Sequence, residues 1–204
     1  MKIAQIAPLM ESVPPRLYGG TERIVSHLTD ELVRLGHEVT LFASADSVTA
    51  AELVSCASIA LRLDGNVRDP IPYYMLMLDR VRRLAEEFDI LHFHIDQFHF
   101  PLFVQMADRT VTTLHGRQDI PDLKPLYLGF SEMPLVSISN DQRRPIAKAN
   151  FSRPYITEFR RTCTRQNSAR PQIENNLFRS VGTSASPSPT WPANGLRRIL
   201  MGFG

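Results

Sequence analysis

The sequence predicts an α/β fold over residues 1–150: a Rossmann-like parallel sheet with helices on both faces, followed by a basic, low-order tail over 151–204. Three observations predict it. Short apolar runs rich in β-branched residues alternate with segments of helical periodicity. The first strand–helix–strand unit occupies about 40 residues, the length of a right-handed crossover between parallel strands. The composition also breaks at residue 150: residues 1–150 hold 15 Lys/Arg against 19 Asp/Glu, whereas 151–204 hold 8 Arg, no Lys and 2 Glu.

The first strand is the apolar run Lys2–Pro8. A long loop follows from Leu9 to Gly20, stiffened by Pro14-Pro15. Long loops after the first strand of an α/β domain commonly carry function. Thr21–Leu35 reads as a helix, with Ile24, Val25, Leu28, Leu32, Val33 and Leu35 at helical spacing and Gly36 placed to end it. Glu38–Ala43 is the second strand, and Glu52–Ser55 is a shorter third. Tyr73–Glu87 is helical, with Met75, Leu76, Leu78, Val81 and Leu84 expected to face inward. Asp89–His94, Arg109–Leu114 and Pro134–Ser139 are further strands. Short helices are expected over Phe98–Ala107 and from Asn140 to Ala149. There is no internal repeat.

A protein of 204 residues holds one good core, or a domain and an appendage. No apolar run is long enough to span a bilayer. The N-terminus lacks the basic-then-apolar layout of a signal peptide, and Cys56 and Cys163 are the only cysteines. Both observations suit a reducing cytoplasm rather than a disulfide scaffold.

Functional residues of a parallel α/β sheet lie beyond the C-terminal ends of its strands. Here those positions hold Gly19-Gly20, His94, Asp96, His115-Gly116-Arg117 and Ser139. In Leu17-Tyr18-Gly19-Gly20-Thr21-Glu22-Arg23 the glycines allow close approach of a ligand. Thr21 reads as the N-cap of a helix whose free N–H groups suit an anion. The segment therefore reads as a phosphate cradle, or else as a tight turn. His92 and His94 alternate along their strand, which is expected to turn one away from the other and leave His92 as a packed histidine. Asp96 is either a cleft residue or the N-cap of the short helix after it. Arg117 is either a cleft residue or a salt-bridge partner.

The set KIAQIAP, LYGGTER, LTDELVRLGHEVTLFAS, FDILHFHID, VTTLHGR and PLVSIS resembles, in content and order, the N-terminal half of retaining glycosyltransferases of family four, which have the two-domain GT-B fold. The resemblance covers about three-quarters of the chain. It implies transfer of a sugar from a nucleotide-sugar, UDP- or GDP-linked, with no further cofactor and no metal. It places Gly19, Gly20 and Thr21 at the donor diphosphate and His115 at the donor sugar near the reacting carbon. His94 and Gly116 would lie in the cleft, and Asp96, Arg117 and Ser139 along the acceptor side or cleft floor. Backbone N–H groups stabilise the charge that develops on a leaving diphosphate.

Two other readings compete. One is a metal enzyme built on His92, His94, His99 and His115, since imidazoles are good zinc ligands. The other is a non-catalytic α/β domain whose basic tail binds RNA or membrane. A dehydrogenase is disfavoured because the first turn lacks Gly-x-Gly-x-x-Gly.

After Asn150 the resemblance stops. The Gly-Arg-x-x-x-x-Lys segment and the paired glutamates of the family's second domain are missing from the tail, whose Ser184–Pro192 reads as disordered. With permitted codons, the bases encoding Phe151–Thr164 spell LATVYHGIPEDLY in a shifted frame, although the first bases are largely a free choice. The tail is therefore expected to be frameshifted and the chain truncated. Such a chain is expected to be inactive alone, to bind donor weakly, and to self-associate through a cleft face bordered by Tyr18, Phe98, Phe100 and Leu126. No nucleic-acid partner is expected.

Overall fold

The computed structural model describes residues 1–151. Within them, β1 (Lys2–Ile6), β2 (Glu38–Ser44), β3 (Glu52–Ala57), β4 (Ile90–Phe93), β5 (Thr110–Leu114) and β6 (Leu135–Ser137) form one sheet. Its order is β3-β2-β1-β4-β5-β6, and every pair of neighbours is parallel. This is the doubly wound order, with its topological switch between β1 and β4. The connecting helices are α1 (Gly20–Arg34), α2 (Ile71–Leu84), α3 (Phe100–Phe103), α4 (Leu123–Gly129) and α5 (Asn140–Arg143).

Strands covered on both faces read as continuous apolar runs, because successive side chains enter opposite cores. Ile3, Val39, Ile90, Val111 and Val136 point to one side and pack with Leu32 of α1. Ala4, Ile6, Phe42, Leu91 and Phe93 point to the other, against Met77, Leu78 and Val81 of α2 and Phe103 of α3. Helices thus cover both faces, as expected. A smaller core under α3 and α4 joins Phe100, Leu114, Tyr127, Met133 and Leu135.

Helix α1 ends as its sequence dictates. Gly36 has φ +84°, its N–H donates to the Val33 carbonyl at 2.9 Å, and the His37 N–H donates to the Leu32 carbonyl at 3.1 Å. These two bonds satisfy carbonyls that the helix end leaves open. Replacing Gly36 by Ala is expected to cost about 1 kcal/mol and to lower Tm by roughly 2–4 °C. A melting temperature unchanged in scanning calorimetry would contradict that assignment.

Several expectations need correction. Thr21 is not the N-cap of α1; the helix begins one residue earlier and Gly19 caps it, without a side-chain hydrogen bond. Leu35 is the C-cap and is 38% exposed. In α2 the inward positions are Met77, Leu78 and Val81, while Met75 and Leu76 are 65% and 70% exposed. Leu78 and Val81 face inward as expected, and Met77 takes the place expected of Met75 and Leu76. The segment from Phe98 to Ala107 is not one helix: α3 spans a single turn and passes into a 3₁₀ stretch, Val104–Arg109. Helix α4 was not expected. The helix from Asn140 is also short, giving way to a 3₁₀ turn at Arg144–Ile146.

The expectations for the tail fall outside the described residues, except at Phe151. That residue forms a parallel bridge with Leu135, beside β6, and the Arg143 guanidinium lies 4.8 Å from its ring centroid.

Candidate functional site

The loop after β1 brings the chain to Gly19 and Gly20 at the N-terminus of α1. Gly19 is buried, and a Cβ built there would lie 2.7 Å from both Pro15 Cβ and Glu22 Oε2. Gly19 is therefore required by its own loop. Gly20 is exposed, and a Cβ built there meets nothing within 4 Å. The open space beside this loop lies at Gly20. The N-cap of α1 supplies no side-chain bond, and within the first turn the Glu22 carboxyl accepts from the Glu22 backbone N–H. Glu22 is buried in the first turn, and burial, reinforced by nearby Glu11, pushes its carboxyl above the usual range. Arg62 ties the loop down: it donates to the Glu11 carboxylate at 2.9 Å and to the Tyr18 carbonyl at 3.4 Å.

Across the switch point, β4 and β5 present a buried histidine network. His92 and His94 do not point apart as expected. Residues two apart on a strand share a face, and the two rings lie side by side with centroids 4.2 Å apart. The Gln5 carboxamide from β1 reaches both, with Nε2 3.3 Å from His92 Nδ1 and Oε1 2.8 Å from His94 Nε2. His92 Nε2 lies 2.8 Å from Thr113 Oγ1, and His94 Nδ1 lies 3.0 Å from His115 Nε2. Desolvation holds His92 down to about 3 and His115 to about 4, and lowers His94 well below its ordinary value. All three rings are neutral at pH 7.

His99 belongs to the other side of the sheet. Its ring stacks on Phe93 at 3.7 Å, and its Nε2 is 2.9 Å from Thr112 Oγ1. The four histidines of the metal-enzyme reading therefore fall on opposite faces of β4. Among the described residues, no group of three or more His, Cys, Asp or Glu could hold a metal ion.

Asp96 does not cap the helix after it, since the N-cap of α3 is His99. Instead its Oδ1 accepts from the backbone N–H groups of His115 (3.0 Å) and Gly116 (3.3 Å), binding the loop after β4 to the loop after β5. Asp96 itself has φ +49°, a region that Asp tolerates better than most side chains. Burial raises its carboxyl, and the two N–H bonds partly offset the rise. Gly116 must lack a side chain here, because a Cβ would sit 2.8 Å from Asp96 Oδ2.

The remaining expected site residues divide. Arg117 is exposed and forms a bidentate pair with Asp119, at 2.9 and 2.8 Å. Ser139 is the N-cap of α5, its Oγ accepting from the Gln142 N–H at 3.1 Å. Tyr18 (81% exposed) and Phe98 (52%) lie at the surface, and Leu126 is half-buried. Phe100 is fully buried against Tyr127 and is no groove residue. In contact, then, are His94, Asp96, His115 and Gly116, with Gln142 linking Gly116 to Ser139; Gly19, Gly20 and Thr21 approach the same sheet edge on the loop after β1.

Four residues of this architecture were not singled out from the sequence. Gln5 bridges the histidines. Gln142 donates to the Leu114 and Gly116 carbonyls at 3.1 and 2.8 Å, and Gln118 donates to Gly116 at 3.2 Å while accepting from Tyr127 at 2.7 Å. A polar residue in a strand buried on both faces needs a partner, and that requirement was a readable signal at Gln5.

Comparison with curated proteins finds no match. Among solved structures, AviGT4, a glycosyltransferase involved in avilamycin A biosynthesis, is similar at 21% identity and a TM-score of 0.44. The match covers 72% of this chain and 38% of that one. The family model Glycosyltransferase Family 4 matches residues 18–168, most of the chain and every strand after β1. The chain belongs to Glycosyltransferase Family 4.

Proposed function

We propose that the cleft at the β1/β4 switch holds the sugar and diphosphate of a UDP- or GDP-sugar, for transfer to an acceptor with retention of anomeric configuration. What supports this reading is that an α1 N-terminus without a side-chain cap follows β1 while the His94–His115 pair lies just beyond β4 and β5, so both belong to the C-terminal edge of the sheet. The N–H groups around Gly20 and Thr21 would face the diphosphate, where negative charge develops as the sugar leaves. His115 would stand beside the donor sugar. Asp96 and Gly116 fix its backbone, and Arg117 and Ser139 border the acceptor side. Family membership supports the transferase reading; the donor nucleotide and the stereochemistry follow from the resemblance.

Gly20 gives a clean test, because a side chain there enters open space rather than the core. Titration calorimetry of this chain with UDP- and GDP-sugars is expected to show weak binding, with Kd on the order of 1 mM. Gly20→Val should weaken it at least about tenfold, by filling the approach to the helix N-terminus, while shifting Tm by no more than about 2 °C. Micromolar binding left unchanged by Gly20→Val would sink the assignment of the glycine loop.

A further inference from the structure

We propose that Gln5 is a positioning residue: its carboxamide fixes the tautomer of His94 and, through it, that of His115, so that His115 keeps Nδ1 unprotonated as a hydrogen-bond acceptor. The proposal deepens the reading of the cleft as a sugar site, since an acceptor at His115 selects a ligand hydroxyl that donates.

The argument follows the protons. A neutral imidazole has one N–H and one lone pair. The Gln5 carbonyl oxygen can only accept, so His94 Nε2 carries a proton and His94 Nδ1 carries a lone pair. His115 Nε2, 3.0 Å from that lone pair, must then be protonated, which leaves Nδ1 of His115 bare. On the other arm, the Gln5 amide donates to His92 Nδ1, so His92 Nε2–H donates to the Thr113 hydroxyl.

Turning the Gln5 amide over would reverse every bond and leave an N–H on His115 Nδ1. The separations favour the first sense. A contact of 2.8 Å is ordinary for N–H···O, and 3.3 Å suits the longer N–H···N; the reversed amide would bring two nitrogens to 2.8 Å. The ionisable groups around His115 are His92 on β4, with His94 and Asp96 in the loop after it. Asp96 bonds the backbone N–H of His115, so the ring's tautomer is left to His94.

The test needs no ligand, so its failure is separable from failure of the sugar-site reading. Long-range ¹H–¹⁵N spectra of the ¹⁵N-labelled chain at pH 7 report which ring nitrogen of each histidine is protonated. Protons on Nε2 of His92, His94 and His115 are expected, with a scalar coupling across the hydrogen bond between His94 Nδ1 and His115 Nε2. In Gln5→Leu the ring N–H protons of His94 and His115 should exchange at least about tenfold faster and the coupling should vanish, the signature of a lost hydrogen bond. Thr113→Val, at the far end, should affect His92 alone. Signals of His27 and His37, outside the network, report that each variant is folded. A proton on Nδ1 of His115 in the unmodified chain overturns the proposal whether or not the variants fold. Retention of the coupling in a folded Gln5→Leu overturns it as well.

Discussion

Acidification from pH 7 to about pH 4.5 is expected to unfold this protein. His92, His94, His99 and His115 are held neutral by burial, His92 down to about 3 and His115 to about 4, with His94 and His99 well below their ordinary value. In the unfolded chain each takes a proton near pH 6.5. Below that pH the unfolded state binds more protons than the folded one, so stability is present above pH 6.5 and is lost as pH falls. Each histidine removes up to about 1.4 kcal/mol per pH unit until its folded pKa is reached. His92 and His115, with folded values of about 3 and 4, act over this whole interval, and His94 and His99 add to the loss in the same direction, against a total domain stability of about 5–15 kcal/mol. Asp96 opposes them weakly: its raised carboxyl makes the fold bind protons more readily than the unfolded chain, which favours the folded state as pH falls. Denaturant midpoints measured from pH 7.5 to 4.5 should therefore fall steeply, with proton uptake on unfolding. Midpoints that stay flat down to pH 5 would show that the rings are not buried neutral.

Asp96→Ala is expected to cost about 2–3 kcal/mol, because it strips the acceptor from two backbone N–H groups and places Ala at a positive φ. Asp96→Asn keeps an oxygen for both N–H groups and tolerates that φ, so it should cost less than about 1 kcal/mol. The sign of the pH effect separates charge from geometry. The carboxylate is a burden on the fold above its raised pKa, so the stability difference between Asn and Asp should move in favour of Asn as pH rises. Urea unfolding of both variants at pH 6.5 and pH 8 measures all three quantities. Equal losses for Ala and Asn would mean that the carboxylate is not the buckle between the two loops. Donor binding should fall in Asp96→Ala, since the His115 backbone is then no longer held.

What could be read from the chain is what period and punctuation encode. Strand β1, the stripe of α1 and the stop at Gly36 are read from local signals, and they lie where expected except that β1 ends at Ile6 and Leu35 leaves the stripe. Helix α4 was missed because Leu123–Gly129 is short and carries Pro125 and Gly129, two residues that argue against helix until the apolar contacts of Tyr127 and Leu126 with Phe100 and Met133 are known. In α2, Leu78 and Val81 lie inward as expected but Met75 and Leu76 do not: Met75, Leu76, Met77 and Leu78 are consecutive apolar residues, so which of them are buried rests on tertiary packing. At the cleft, the sequence placed His94, Asp96, His115 and Gly116 on one edge, because they end strands. It did not show that His92 and His94 share a face with Gln5, a relation between strands that no local window contains. Nor did it show that Ser139 caps α5, or decide that Arg117 pairs with Asp119.

The strand order also has a kinetic consequence. β1 pairs on one side with β2, Ile3 against Val39, and on the other with β4, Ile3 against Ile90. As the nascent chain emerges, the β1–β2–β3 half can assemble once residue 57 is free. The opposite edge of β1 waits for residue 93, roughly 2–7 s later at ordinary rates of translation. That waiting edge carries Gln5, whose carboxamide lacks His92 and His94 until β4 docks. Closing so long a loop is entropically costly and slow. The seam that builds the cleft is therefore the late-forming one, and the interval before it closes is when the chain is most exposed to mispairing with another strand.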